Sequence, residues 1–242
     1  MKKAKKVVAL ALCAVLLVVG SVTGTMAYLT SQDEVVNTFT VGKVEITLDE
    51  KDTDKDSYDK DNVTIDGVVR DKANAYHVIP GAVFEKDPVV TVLAGSENSY
   101  VRAKVTVTYQ AAADTIIPAT FFTTWVDGFD STVWIPVNEN QTKEEFKKKL
   151  NGKEVEFISR TYELRYKDIV DGYDADKQKA DERLAAIFTG IEIPGEGLDN
   201  AQIATLEGLQ IDVVAHAVQA DGFTDAADAW SKTFDKPTTG NN

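Results

Sequence analysis

The sequence predicts an all-β protein, a two-sheet antiparallel β-sandwich of jelly-roll type with a few short helices. Three observations predict it. Residues 100–109 alternate without a break, with Val101, Ala103, Val105, Val107 and Tyr109 on one face and Arg102, Lys104, Thr106 and Thr108 on the other. That is the mark of a half-buried antiparallel strand. Similar alternation recurs at 44–48, 155–166 and 209–218, with turn residues between the runs. Strand patterns never alternate with long helical ones, which argues against a parallel sheet.

The elements follow in order. Val44, Ile46 and Leu48 begin a strand, and residues 49–62 read as a charged loop. Short strands are expected at 63–69 and 76–79, before the Pro80-Gly81 turn. Residues 88–93 form a β-branched run that should pair with 100–109 across the turn-like segment 94–99. The aromatic stretch 119–137 (Phe121, Phe122, Trp125, Phe129, Trp134) fits two short strands. Its rings are either core or a stacking surface for a ligand, and core is the commoner fate. Thr142 and Glu145 have capping-box spacing and Phe146 and Leu150 lie four apart, so residues 143–150 read as a short helix ended by Asn151-Gly152. A strand over 155–166, a polar helix-permissive stretch at 175–184, a strand at 186–193 and one or two helical turns at 200–206 come next. A strand at 209–218 and a short helix at 225–230 complete the chain.

The N-terminus reads as an export signal. Lys2, Lys3, Lys5 and Lys6 precede an apolar run at 7–19 and then small and polar residues up to Ala27. As a helix the run spans about 20 Å, short of the roughly 30 Å hydrocarbon core. Residues 1–27 are therefore expected to be a signal peptide cut between Ala27 and Tyr28. Cys13, the single cysteine, lies within it, so the exported chain has no disulfide and holds together by packing. The whole chain of 242 residues carries a net charge of −13, and loss of residues 1–27 takes it to −17. Such a surface disfavours nucleic acid and anionic lipid as partners.

Catalytic motifs are missing. His77 and His216 stand far apart without a second histidine near either, and no H-E-x-x-H, G-x-S-x-G or P-loop occurs. Asp52, Asp54 and Asp56 imitate the start of a calcium loop, but Ser57 and Val63 stand where glycine and glutamate are needed. No catalytic residue, metal ligand or cofactor is assigned. Lys236-Pro237-Thr238-Thr239-Gly240 imitates a wall-sorting signal without the apolar stretch and basic tail that should follow it, and reads as a frayed terminus.

Several segments in order resemble the TasA/camelysin family of secreted Gram-positive proteins. They are Gly24-Thr25-Met26-Ala27-Tyr28-Leu29-Thr30-Ser31, then Asn37-Thr38-Phe39-Thr40-Val41-Gly42-Lys43-Val44-Glu45-Ile46. Pro80-Gly81, Glu85-Lys86-Asp87-Pro88 and Tyr100-Val101-Arg102-Ala103-Lys104-Val105 follow, with Ala217-Val218-Gln219-Ala220-Asp221-Gly222-Phe223 near the end. The resemblance implies a jelly-roll domain over 28–242, processing by a dedicated signal peptidase, and a secreted biofilm-matrix fibre subunit at the cell surface or in the extracellular matrix. Some members of that family have been called metalloproteases, so a protease is one alternative and a surface adhesion module another. The expected partner is a second copy of the chain. After cleavage, residues 28–38 would form an extended arm reaching about 36 Å. Leu29, Val35, Phe39 and Val41 share one parity and are expected to fill alternate pockets when the arm adds as a strand to a neighbour's open sheet edge.

Overall fold

Period-two patterning dominates the chain, and it folds accordingly into antiparallel sheets. The computed structural model describes residues 42–53, 63–72, 74, 79–137, 142–172 and 180–235. The expected signal peptide with its Ala27–Tyr28 junction lies outside these residues. So do the arm with Leu29, Val35, Phe39 and Val41, His77 with most of its expected strand, and the sorting-signal imitation.

One five-stranded sheet contains β1 (Ile46–Lys51), β2 (Val63–Ile65), β3 (Val68–Asp71), β5 (Val89–Val92) and β11 (Glu182–Arg183), in the order β11-β5-β1-β3-β2. The second contains β6 (Ser99–Gln110), β8 (Trp134–Pro136), β9 (Thr142–Leu150), β10 (Lys153–Tyr166) and β13 (Gln210–Gln219). Its order is β13-β6-β10-β8, with β9 also paired to β10. β4 (Val83–Glu85), β12 (Gly190–Glu192) and β7 (Val126–Asp127) make a small third sheet. All the pairings are antiparallel. The all-β sandwich read from the sequence is the fold of the protein, with the third sheet added.

The core is apolar and aromatic. Val101, Ala103, Val105, Val107 and Tyr109 of β6 are buried, as the alternation requires. Phe121, Phe122, Trp125 and Trp134 are buried as well, so the aromatic stretch is core and not a stacking surface. The Trp134 indole donates to the Ala185 carbonyl at 3.0 Å, which satisfies its one polar atom. The two short strands expected in this stretch are β7 and β8, and a helical turn precedes them. Residues 121–124 form a helical turn, α1 (Phe121–Thr124), which sets Phe121 and Phe122 edge to face at 5.8 Å.

Four segments differ from the sequence reading for physical reasons. Residues 143–150 are not a helix but the strand β9. Phe146 and Leu150, four apart, share a face in a strand as well as in a helix. Asn151 and Gly152, with φ of 50° and 80°, form the tight hairpin turn that Asn-Gly favours rather than a helix stop. The long strand β10 supplies the pairing partner from Thr161↔Thr142 to Lys153↔Leu150. β5 and β6 are not a hairpin. The 94–98 segment carries the chain from one sheet to the other, and all four β5 side chains are buried. β1 continues past Leu48 through Lys51, because buried Glu50 is neutralised by Lys86 and accepts from Asn74 Nδ2 at 2.9 Å. The run at 63–69 is broken by Asp66-Gly67, at φ of 51° and 80°, into the β2–β3 hairpin.

Helices α2 (Asn200–Ala204) and α3 (Ala226–Lys232) form where expected. Asp199 and Gln202 build a reciprocal capping box for α2, and Asp225 caps α3 by accepting from the Asp228 amide at 2.8 Å.

Candidate functional site: an open strand edge above an apolar groove

β13 carries the site. Among the described residues it pairs with β6 alone, from Gln210↔Thr108 to Gln219↔Ser99. The Ala220 amide donates to the Asn98 carbonyl at 2.6 Å, which fixes the ladder parity. In an antiparallel pair the backbone groups of successive residues point alternately towards and away from the partner. Even-numbered residues of β13 therefore bond β6. The amides and carbonyls of Ile211, Val213, Ala215, Ala217 and Gln219 point to the open side.

Open edges are usually blunted by charge, above all by lysine. β9, the other long edge strand, follows that rule. Its sequence TKEEFKKKL carries four lysines, and eight of its nine side chains are exposed. β13 has the sequence QIDVVAHAVQ, with one acid and no lysine. Its ten residues thus form a long edge without the usual protection.

A groove of about 880 Å³ runs beside this edge. Leu209, Ile211 and Val213 line one wall, and Leu48, Phe84, Ile191 and Ile193 line the other. The side chains of Ile211 and Val213 share the parity of the open amides, so one strand laid along β13 meets both its hydrogen-bonding groups and its apolar wall. Polar groups stand at the β1 side: Glu50 paired with Lys86, together with Asp49, Lys72 and Asn74. Behind them, buried Arg70 holds Asp49 at 2.7 Å and Asp87 at 2.6 Å, tying β3, β1 and the start of β5 together. The wall is therefore fixed in place before anything binds.

The chain matches no protein-family model, no curated protein and no solved structure.

The polypeptide enters the body next to the 94–98 segment. Lys43 accepts from the Glu97 amide at 2.8 Å, and Glu45 accepts from Leu93 at 2.9 Å. Buried Ser96 bonds the Glu45 amide at 3.1 Å and its carbonyl at 3.2 Å. Residues 43–45 are thus anchored before β1 begins.

His216 projects from the opposite face of β13 and takes no part in the groove. Its Nδ1 accepts from Arg102 Nε at 3.4 Å, and its ring lies 4.6 Å from that of Phe234. Burial, reinforced by Arg102 and Lys104, holds its pKa below the ordinary histidine value. Arg102 is fully buried, lies 4.5 Å over the Trp230 ring and binds both carboxylate oxygens of Asp235, at 2.7 and 3.0 Å. This cluster latches α3 and the residues after it onto the outer face of β6 and β13. No group of three or more His, Cys, Asp or Glu side chains suited to a metal ion occurs among the described residues.

The alternation at 209–218 marked β13 as a strand, but its place at a sheet edge depends on pairing that no local pattern encodes. What is local is the edge's lack of protection: residues 209–219 contain no lysine or arginine.

Proposed function

We propose that this protein is a secreted structural subunit of an extracellular fibre or matrix, assembled by strand addition. The observation that carries the reading is the ten-residue edge of β13, unpaired among the described residues, above its apolar groove. Residues 28–41, freed by cleavage after Ala27, supply the added strand. Leu29, Val35, Phe39 and Val41 face the groove of the next copy, and the backbone bonds the open amides of β13. A ten-residue strand is about 33 Å long, close to the reach of residues 28–38. Backbone hydrogen bonds then give affinity, and alternate side chains give selectivity.

A contact made by one end of the chain with a different surface of the next copy does not close on itself, so a filament results. The apolar leader holds the arm until export, which keeps subunits apart inside the cell. Deletion of residues 28–36 from the exported chain tests the reading by electron microscopy. Loss of filaments is expected, and filaments equal to those of the parent chain would refute it.

A further inference from the structure

The tip of the β9–β10 hairpin combines three features. Lys147, Lys148, Lys149 and Lys153 surround the Asn151-Gly152 turn, and no acid lies between Phe146 and Glu154. Lys147 reaches Glu154 at 3.5 Å, and Lys148 lies 5.7 Å over the Phe157 ring. Lys149 and Lys153 have no ion-pair partner among the described residues, which leaves a cationic site in a chain of net charge −13. The second feature is position. Asn151 Nδ2 donates to Glu207 at 2.7 Å, and Leu150 and Phe157 lie against Gly208, beside the groove residue Leu209. The lysines therefore stand at the Leu209 end of the groove. The third is the surroundings. Glu207 and Asp212 flank that end, and these two acids repel an anionic chain there.

The arm that strand addition requires is itself acidic. Residues 28–41 hold Asp33 and Glu34 and no lysine or arginine. We propose that the lysine tip is a capture site for the Asp33-Glu34 pair of an incoming copy's arm, and that it steers the arm to the groove before pairing starts. This inference rests on the strand-addition reading and adds to it the element that sets the encounter rate. At physiological salt the tip acts over roughly 8 Å, enough to guide an arm already close to the edge. Opposite charges at a docking site raise association rates far more than they change final affinity.

The test follows binding of a fluorescent peptide of residues 28–41 to the full exported chain by stopped flow, at about 20 and about 300 mM salt, across the range where screening sets in. With the parent pair, association should be about tenfold faster at low salt. The variant K147Q/K148Q/K149Q/K153Q should lose most of that acceleration, and so should a D33N/E34Q peptide with the parent protein. The peptide arm cannot be confounded by misfolding. Combining the two changes should slow binding no further than either alone. Tight binding at rates indifferent to salt, lysines and acids would overturn the capture site and leave strand addition standing. If no peptide binds, strand addition fails and the capture site with it.

Discussion

The parity of β13 makes proline an edge-specific probe. Ala215 directs its amide to the open side, whereas Val214 directs its amide to β6 at the Val214↔Lys104 pair. Ala215→Pro therefore removes no bond of the β13–β6 ladder. It removes one outward donor and sets a ring where an added strand's carbonyl would come. Proline is tolerated in strands where its missing N–H would face solvent. One backbone hydrogen bond contributes about 1 kcal/mol net, so with the steric cost the added strand should weaken by about 1–2 kcal/mol, roughly tenfold in affinity. Val214→Pro removes an existing ladder bond and should cost the fold about 3 kcal/mol or more. Thermal melting by circular dichroism measures the fold, and sedimentation with electron microscopy measures filament mass. Ala215→Pro should melt near the parent temperature and assemble poorly; Val214→Pro should melt much lower. Normal assembly of Ala215→Pro, or equal melting of the two variants, would refute the parity argument.

Other predictions follow from the same geometry. Arg102→Met leaves Asp235 without its bidentate partner and Trp230 without its cation, and should loosen α3 at a cost of about 3 kcal/mol, read by Trp230 fluorescence and urea titration. Folding favours neutral His216, so this latch should be intact above the ordinary histidine pKa and weaken as pH falls through the lower folded value. His216→Gln should remove that pH dependence of the fluorescence. Burial of Asp114 favours its neutral form, but hydrogen bonds from Arg160, Tyr109 and Lys143 outweigh this and set its pKa to about 2. Its contribution should be complete above about pH 4 and lost as pH falls through 2, worth about 1–2 kcal/mol after solvent screening, and Asp114→Asn should flatten that acid limb of the stability curve. Asn151→Ala removes the short polar side chain that makes a left-handed turn position tolerable, together with its bond to Glu207, and should cost the hairpin about 1 kcal/mol, measured as a drop in urea midpoint at unchanged slope.

The parts of the fold that were legible are those set by local period. The alternation of β6, β10 and β13 follows directly from side chains that must face either the core or the outside, and α2 and α3 form where short helices were expected. What stayed hidden depends on distant partners. β9 exists as a strand because β10 offers it an edge, and its i,i+4 apolar pair fits both periods. Glu50 extends β1 only because Lys86, 36 residues away, neutralises it. The arch from β5 to β6 mimics a hairpin in sequence, because the same turn residues serve both. For the candidate site, the sequence held the strand and its missing lysines, while the groove arises from β1, β4 and β12 closing opposite β13. Asp66-Gly67 was readable, since that dipeptide favours a tight hairpin turn.

Amide hydrogen exchange along β13, compared between a chain of residues 37–242 and an assembled chain of residues 28–242, tests strand addition most directly. In the shortened chain the amides of Val214, His216 and Val218 should already exchange slowly, while those of Ile211, Val213, Ala215 and Ala217 exchange fast. Assembly should slow the second set and leave the first unchanged. If the odd-numbered amides stay fast in filaments, or if new protection arises elsewhere on the surface, β13 is not where subunits join.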